Sequence, residues 1–243
     1  MSAQAMVLAA GRGERMRPLT DTTPKPLLPV RGKPLLQWPL ASLSKGGFTE
    51  VLINTAWLGE QIEQTFGDGK LLNLSLGYSH EGLDFGGALE TAGGIARALP
   101  QLGDIFWLLA GDVFAPDFEF TQAAWDRFNN SGKLAHLWLV PNPDHNPSGD
   151  FGLSPGGLAL NVPKDAGHAM YTYSTIGLYR KAFFAPPFCS LPAGNPQGIK
   201  APLAPLLRAG MDAGQVSAEI YAGPWADVGT PARLAMLNKS DLR

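Results

Sequence analysis

A few residues of this chain have the types and spacing that phosphate chemistry uses: Gly11, Gly13, Arg15 and Lys25 close together, and Asp112 and Asp227 far downstream. The first four lie in Leu8-Ala9-Ala10-Gly11-Arg12-Gly13-Glu14-Arg15-Met16-Arg17-Pro18-Leu19-Thr20, which runs on to Pro24-Lys25-Pro26-Leu27-Leu28-Pro29-Val30. Glycines permit positive φ and a close approach of backbone to ligand. Successive N–H groups in such a turn form a concavity that binds anions, and Arg15 and Lys25 would add positive charge where a triphosphate gathers negative charge. Between residues 11 and 33 there are six basic residues (Arg12, Arg15, Arg17, Lys25, Arg31, Lys33) against Glu14 and Asp21. A solvated basic loop is the plainer reading of that excess, and charge alone does not choose between the two. Two common phosphate motifs are excluded: no Gly-Lys-Ser/Thr follows Gly11 at the P-loop spacing, and Met16 stands where the dinucleotide fingerprint needs its third glycine.

Chemistry on phosphates also needs its developing negative charge neutralised, usually by magnesium on one or two carboxylates plus phosphate oxygens. Asp112 follows the apolar run 105–110, which would put it at the carboxyl end of a strand, where open α/β sheets bind ligands. Asp227 lies in Trp225-Ala226-Asp227-Val228-Gly229-Thr230-Pro231. Taken as residues only, a turn residue is the plainer reading of Asp112, and a cap for a helix beginning near Pro231 that of Asp227.

The elements that must position these groups are legible as alternation. Apolar runs at 5–10, 51–55, 74–78 and 105–110 predict strands, and the segments 34–46, 58–66 and 89–99 predict helices between them. Runs apolar at nearly every position suit strands buried on both faces. After about residue 140 come turn signals, Pro141-Asn142-Pro143 and Asn146-Pro147-Ser148-Gly149, then strand-like pieces at 158–162 and 171–179 that would extend the sheet antiparallel. A last helix is expected over 231–237. The expected fold is α/β: a Rossmann-like open, mixed, mainly parallel sheet with helices on both faces. One domain over 1–243 is expected, in two halves, to about residue 115 and from about 116.

At 243 residues with 45% hydrophobic and 16% charged content, the chain can bury a substantial core. Its net charge of -2 gives no electrostatic case for nucleic acid or an anionic membrane. The single cysteine, Cys189, excludes an intrachain disulfide and a cysteine-based zinc site. The run 5–10 is too short for a signal peptide and no stretch approaches a membrane span, so a cytoplasmic protein is expected. The four histidines lack metal spacing, and Gly-x-Ser-x-Gly is absent.

The segment from Val7 to about Leu36 resembles the signature of the sugar-1-phosphate nucleotidylyltransferase family, over a long and nearly unbroken match. The Gly111-Asp112 pair and Trp225-x-Asp227-x-Gly229-Thr230 resemble that family's two metal-binding segments. The resemblance implies a nucleotide-diphospho-sugar transferase fold, Mg2+ as cofactor, and a nucleoside triphosphate (expected to be UTP) and a sugar 1-phosphate as partners. It implies that Arg15 and Lys25 act on the phosphates and that Asp112 and Asp227 hold the metal. Leu8, Ala10, Gly11, Gly13 and Glu14 would complete the loop around the nucleotide. Glu90 and Gly93, in a Gly/Thr/Ala-rich segment leading to a helix N-terminus, would line the base and ribose pocket. On the sugar side it implies Asn54, Asp112, Gly152 (in Asp150-Phe151-Gly152) and Thr175 (in Tyr173-Ser174-Thr175-Ile176-Gly177). Asn54 is equally a strand-end turn residue. Many members carry a sugar-gripping glutamate shortly after the glycine, and residues 151–165 contain none. Lys200 is a candidate for a sugar carboxylate or phosphate contact, an exposed lysine being the plainer reading. The short form, without the carboxy-terminal β-helix of larger relatives, is most like a uridylyltransferase branch of cell-wall sugar recycling, expected as a monomer or small homo-oligomer. Rivals are a mannose-, heptose- or glucose-1-phosphate enzyme using GTP or dTTP, and an inactive nucleotide-sugar-binding regulator, which would be expected to lose a metal aspartate or the loop arginine.

Overall fold

In a computed structural model of the chain, describing residues 2–163 and 167–239, nine strands join one mixed sheet. Its first part is parallel throughout: β1 (Ala3–Leu8), β2 (Glu50–Thr55), β3 (Ser75–His80) and β4 (Leu102–Ala110) lie in the order β4-β1-β2-β3. The later strands are β5 (Ala135–Val140), β6 (Phe151–Leu153), β7 (Ala159–Leu160), β8 (Met170–Arg180) and β9 (Val216–Ile220). β8 pairs antiparallel with β4, β5 and β6, β7 continues antiparallel beyond β6, and β9 lies parallel beside β5. The chain steps from β1 to β2 and β3 on one side, then returns to place β4 on the other. The gap between β1 and β4 is therefore the switch point at which such sheets open a crevice at their carboxyl ends.

The helices are α1 (Gln37–Lys45), α2 (Gly59–Phe66), α3 (Glu81–Phe85), α4 (Glu90–Ala98), α5 (Gln122–Asn130), α6 (Ala204–Asp212) and α7 (Pro231–Lys239). Along β4 successive side chains go to opposite faces. Ile105, Trp107 and Leu109 pack with Leu40 and Leu43 of α1 and Phe128 of α5, while Phe106 and Leu108 pack with Ile95 of α4 and Leu207 and Met211 of α6. Both faces are thus covered by helices, which is why β4 is apolar at nearly every position.

A third, smaller cluster sits beside the crevice. Met16, Leu28, Val30 and Leu35 from the loop after β1 pack with Phe114 and with Val228, Leu234 and Leu237 near the carboxyl end. Met16, which breaks the dinucleotide fingerprint, is completely buried and anchors the loop to the segment that carries Asp227.

Several expected bounds shift for identifiable reasons. β1 ends at Leu8 rather than at 10, because the Ala9 N–H is taken by the Asn54 side chain and leaves the ladder. α1 starts at Gln37 rather than 34, because Lys33–Pro34 pairs with Pro29–Val30 in a small hairpin and the Leu35 and Leu36 N–H groups close it. Of 158–162 only Ala159–Leu160 is a strand. Residues 90–94 are the first turns of α4 itself, not a loop leading to it. The sequence pattern did not signal α5, α6, β5 or β9.

Candidate active site

A cleft of about 780 Å3 opens at the switch point. Its floor is the carboxyl end of β1 and β4, and the loop after β1 forms one wall. Gly13 takes the left-handed conformation at φ 67, so the chain turns there into the single helical turn Glu14–Met16. Its carbonyl accepts from the Met16 N–H at 2.8 Å and the Thr20 hydroxyl at 2.9 Å, which fixes the turn.

The local excess of positive charge is largely spent inside the loop. Arg12 donates to Asp21 at 3.0 Å and to the Thr20 carbonyl at 2.7 Å, and stacks over Trp57 with 3.7 Å to the ring centre. Arg17 also pairs with Asp21, at 2.8 Å. The Arg12 hydrogen bond above all, then Arg17, hold the Asp21 carboxyl below the usual carboxylate range. Arg31 lies over Phe114 and Lys33 over Trp38. Arg15 is different: it is exposed on the cleft wall and makes no ion pair with the described residues. Lys25 is buried, its backbone stiffened between Pro24 and Pro26, and its Nζ donates to Asp112 Oδ2 at 2.5 Å.

Asp112 leaves β4 at the cleft floor. Beyond it, Val113–Phe114 pairs antiparallel with Ala226–Asp227, and the Val228 N–H donates to the Asp112 carbonyl at 2.9 Å. That ribbon brings together two aspartates more than a hundred residues apart in sequence. Their side chains differ in setting. Asp112 lines the cleft, whereas Asp227 is held by Arg233 and by His145 Nε2 at 2.9 Å and does not line it. No three histidine, cysteine or acidic side chains gather as a metal site among the described residues. Two hard carboxylates fit magnesium, which takes few protein ligands and completes its octahedron with water and phosphate oxygens.

On the base side Asn54 is a brace. Its Oδ1 accepts from the Ala9 N–H at 2.8 Å and its Nδ2 donates to Glu81 Oε1 at 2.6 Å. Glu81 is fully buried, and its other oxygen accepts from the Leu89 N–H at 2.7 Å, fixing the entry to α4. Burial pushes the Glu81 carboxyl up, against these hydrogen bonds, which hold it down. Asn54 and Glu81 both border the cleft. Glu90 borders it with an unusual φ of 58, but Gly93 does not. The Gly93 N–H donates to Ala201 and its carbonyl accepts from Asn195, packing α4 under the 195–201 segment.

On the side formed by the later half of the chain the wall includes Asp150, Phe151, Tyr173 and Thr175. Thr175 has φ 63, a rare conformation for a β-branched residue. It falls at the interruption of the β8–β5 register between Tyr173 and Gly177, where Trp225 Nε1 also donates to the Ser174 carbonyl at 3.1 Å. Strained residues of this kind cluster at binding sites. Gly152 is in the β6 ladder, opposite Leu160 and Met170, and lies off the wall, its neighbour Phe151 taking that place. Lys200 is exposed and also off the wall. The expected loop residues Leu8, Ala10, Gly11, Gly13 and Glu14 all border the cleft. Sequence reasoning missed Glu81 and Arg208. The first is one acid in a polar turn, and the second lies on a helix whose proline-rich approach hid its periodicity.

The Nucleotidyl transferase family profile matches residues 4–155, more than half of the chain. This chain belongs to the nucleotidyl transferase family. It is 49% identical over 237 residues to the N-acetylmuramate alpha-1-phosphate uridylyltransferase of Neisseria meningitidis serogroup B, covering 95% of each chain. To the glucose-1-phosphate thymidylyltransferase of Streptomyces griseus it is 27% identical over 243 residues, spanning 97% of this chain and 65% of that one. A Bacillus anthracis crystal structure in complex with sucrose, assigned as a glucose-1-phosphate thymidylyltransferase, superimposes with a TM-score of 0.79 at 20% identity, over 98% of this chain and 94% of that one. That likeness carries the fold. As a nucleotidyl transferase, the chain is a sugar-1-phosphate-activating enzyme with a nucleotide-sugar transferase fold. No helix among the described residues is long and apolar enough to cross a membrane.

Proposed function

We propose that this nucleotidyl transferase moves the uridylyl group of UTP onto N-acetylmuramate 1-phosphate and releases pyrophosphate, as a cytoplasmic step of cell-wall sugar recycling. The choice of substrates rests on the 49% identity to the Neisseria uridylyltransferase across 95% of both chains. The phosphate chemistry is supported by the cleft, where an unpaired Arg15, the Lys25–Asp112 pair and the glycine turn share one wall.

The triphosphate lies against the loop, with backbone N–H groups and Arg15 taking its negative charge. Lys25, released from or shared with Asp112, bridges the α-phosphate and the incoming sugar phosphate. An oxygen of the sugar phosphate attacks the α-phosphorus in line, the bond to the β-phosphate oxygen breaks, and pyrophosphate carries away the electron pair. No side chain needs to form a covalent bond, so the protein contributes positioning and charge neutralisation. Asp112 and Asp227 would hold Mg2+, which when bound offsets charge on the phosphate oxygens. Asp227 is at present paired with Arg233 and His145, and would hold the ion only where those pairs give way.

The test is pyrophosphate release across a grid of UTP, GTP, dTTP and ATP against the 1-phosphates of N-acetylmuramate, N-acetylglucosamine, glucose and mannose. The highest kcat/KM is expected for UTP with the muramate sugar. A higher value for any other pair overturns the assignment.

A further inference from the structure

Among the described residues, three cationic side chains border the cleft: Arg15, Lys25 and Arg208. The first two belong to the phosphate end, which leaves a cation on the sugar half for which phosphate chemistry has no need. We propose that Arg208 selects a sugar 1-phosphate bearing a carboxylate, by pairing its guanidinium with the lactyl carboxylate of the muramate sugar. This rests on the substrate reading above and assigns the residue that enforces it.

Arg208 is half-buried on α6, in a wall it shares with Phe151, Leu203 and Leu207. Its guanidinium lies over the Phe151 ring with 5.2 Å to the centroid, and Nη1 donates to Asn161 Oδ1 at 2.7 Å. It makes no ion pair among the described residues. The anchoring is informative. Asn161 stands between Arg208 and Asp212, with its Nδ2 donating to both Asp212 oxygens at 3.0 and 3.1 Å. Asp212 thereby fixes the amide so that its oxygen faces Arg208. The arginine is oriented through a neutral amide, which leaves its charge uncancelled, whereas direct pairing with Asp212 would have cancelled it.

The remaining groups on this wall reinforce the point. Among the described lining residues, Asp150 is the acid that the later half contributes, and it accepts from the Tyr173 N–H at 2.9 Å and from Asn146 at 3.1 Å. The apolar neighbours lower the local dielectric and strengthen attraction for an anion. A planar guanidinium with free donors matches a carboxylate with two parallel hydrogen bonds.

The experiment compares three acceptors with UTP: N-acetylmuramate 1-phosphate, its neutral lactyl amide, and N-acetylglucosamine 1-phosphate, which lacks the lactyl group. Wild-type enzyme should prefer the carboxylate over the amide by roughly 10- to 100-fold in kcat/KM, the range of a charge-assisted hydrogen-bonded pair. Arg208→Met, which keeps an apolar stem on Phe151, should collapse that preference to within about threefold. Its loss should fall on the KM for the muramate sugar, with the KM for UTP unchanged. Arg208→Gln, which retains a donor toward Asn161, serves as a second variant should the first not fold. Equal losses on all three acceptors, or a preference that survives in either variant, would overturn the proposal and leave the substrate reading intact. A wild-type enzyme indifferent to the amide overturns it as well. Absence of wild-type turnover with the muramate sugar, alongside turnover of another, overturns the substrate reading and this proposal with it.

Discussion

Gly11 and Gly13 are two residues apart in one loop, and the structure gives them opposite jobs, so replacing each by alanine should separate folding from binding. A Cβ on Gly11 meets no atom within 4 Å, and its φ is outside the left-handed range, yet the residue borders the cleft. A Cβ on Gly13 would lie 3.1 Å from Thr20 Cγ2 and 3.3 Å from Lys25 Cβ, at a φ of 67. For Gly13→Ala the left-handed conformation costs about 1–2 kcal/mol, offset by about 0.4–1 kcal/mol from the stiffer unfolded chain. The net loss is about 1 kcal/mol, or about 2–4 °C in Tm for a chain of this size. For Gly11→Ala only the second contribution applies, so Tm should hold or rise. Its methyl instead occupies space meant for the triphosphate. Overfilling a fitted site costs about 1–3 kcal/mol, roughly 5- to 150-fold in the KM for UTP. Thermal unfolding without ligand and steady-state KM for UTP read the two effects separately. A Gly11→Ala protein that melts several degrees lower, or binds UTP as the parent does, would refute this division of roles.

Other consequences can be checked alongside. Asp112→Asn should lower pyrophosphate release by at least about a hundredfold, the scale for removing a preorganised charge-handling group. Its melting should change little, because the asparagine keeps a side-chain oxygen that can accept from the buried Lys25 Nζ; turnover near the parent's would contradict the proposed metal role. Burial depresses the His136 imidazole to about 4, against the attraction of Glu219 and with Arg127 opposing protonation. The unfolded chain, titrating near 6.5, then binds more protons than the folded one between those values, so stability should fall as pH drops from about 6.5 to 4, by at most about 3 kcal/mol. His136→Gln should flatten the dependence of the urea midpoint on pH over that window, and an unchanged slope would show that other groups set it. Thr175→Gly should relieve the positive φ, leaving Tm equal or higher while raising the KM for the sugar phosphate; a lower Tm would mean that the threonine is not strained.

The phosphate half was legible because it is local. Strand, glycine turn, Arg15 and Lys25 occupy one continuous segment, and short-range patterns report such segments well. Even there the charge count misled in detail, since Asp21 and ring faces absorb much of the basic excess. Asn54 was open between a turn role and a ligand role; in the structure it braces Ala9 and Glu81 and borders the cleft. The sugar half was obscure because its wall draws single residues from β6, β8, α6 and the loops around them. Each looks ordinary in its own neighbourhood. Arg208 has significance only through Asn161 and Phe151, about fifty residues upstream, and no local period announces such a meeting. Lys200 attracted attention through its surroundings in sequence, but the helix that follows it carries the cation that reaches the cleft.

The third apolar cluster explains why the two informative segments work as one site. A glycine at position 16 would suit a helix that starts immediately after the strand and aims its N-terminus at a pyrophosphate. Met16 sends the chain another way: it buries against Val228 and Leu234, and so ties the triphosphate loop to the ribbon carrying Asp227. The Lys25–Asp112 pair makes a second tie between the same loop and the end of β4. The glycine loop, Lys25, Asp112 and Asp227 are therefore held in one packed unit across more than two hundred residues of sequence. A displacement of any member strains the others, which suits an enzyme whose catalytic contribution is positioning. The sugar wall is built on α6 and β8, outside that cluster. On the proposed role of Arg208, a substitution there would alter acceptor choice without disturbing that packed unit.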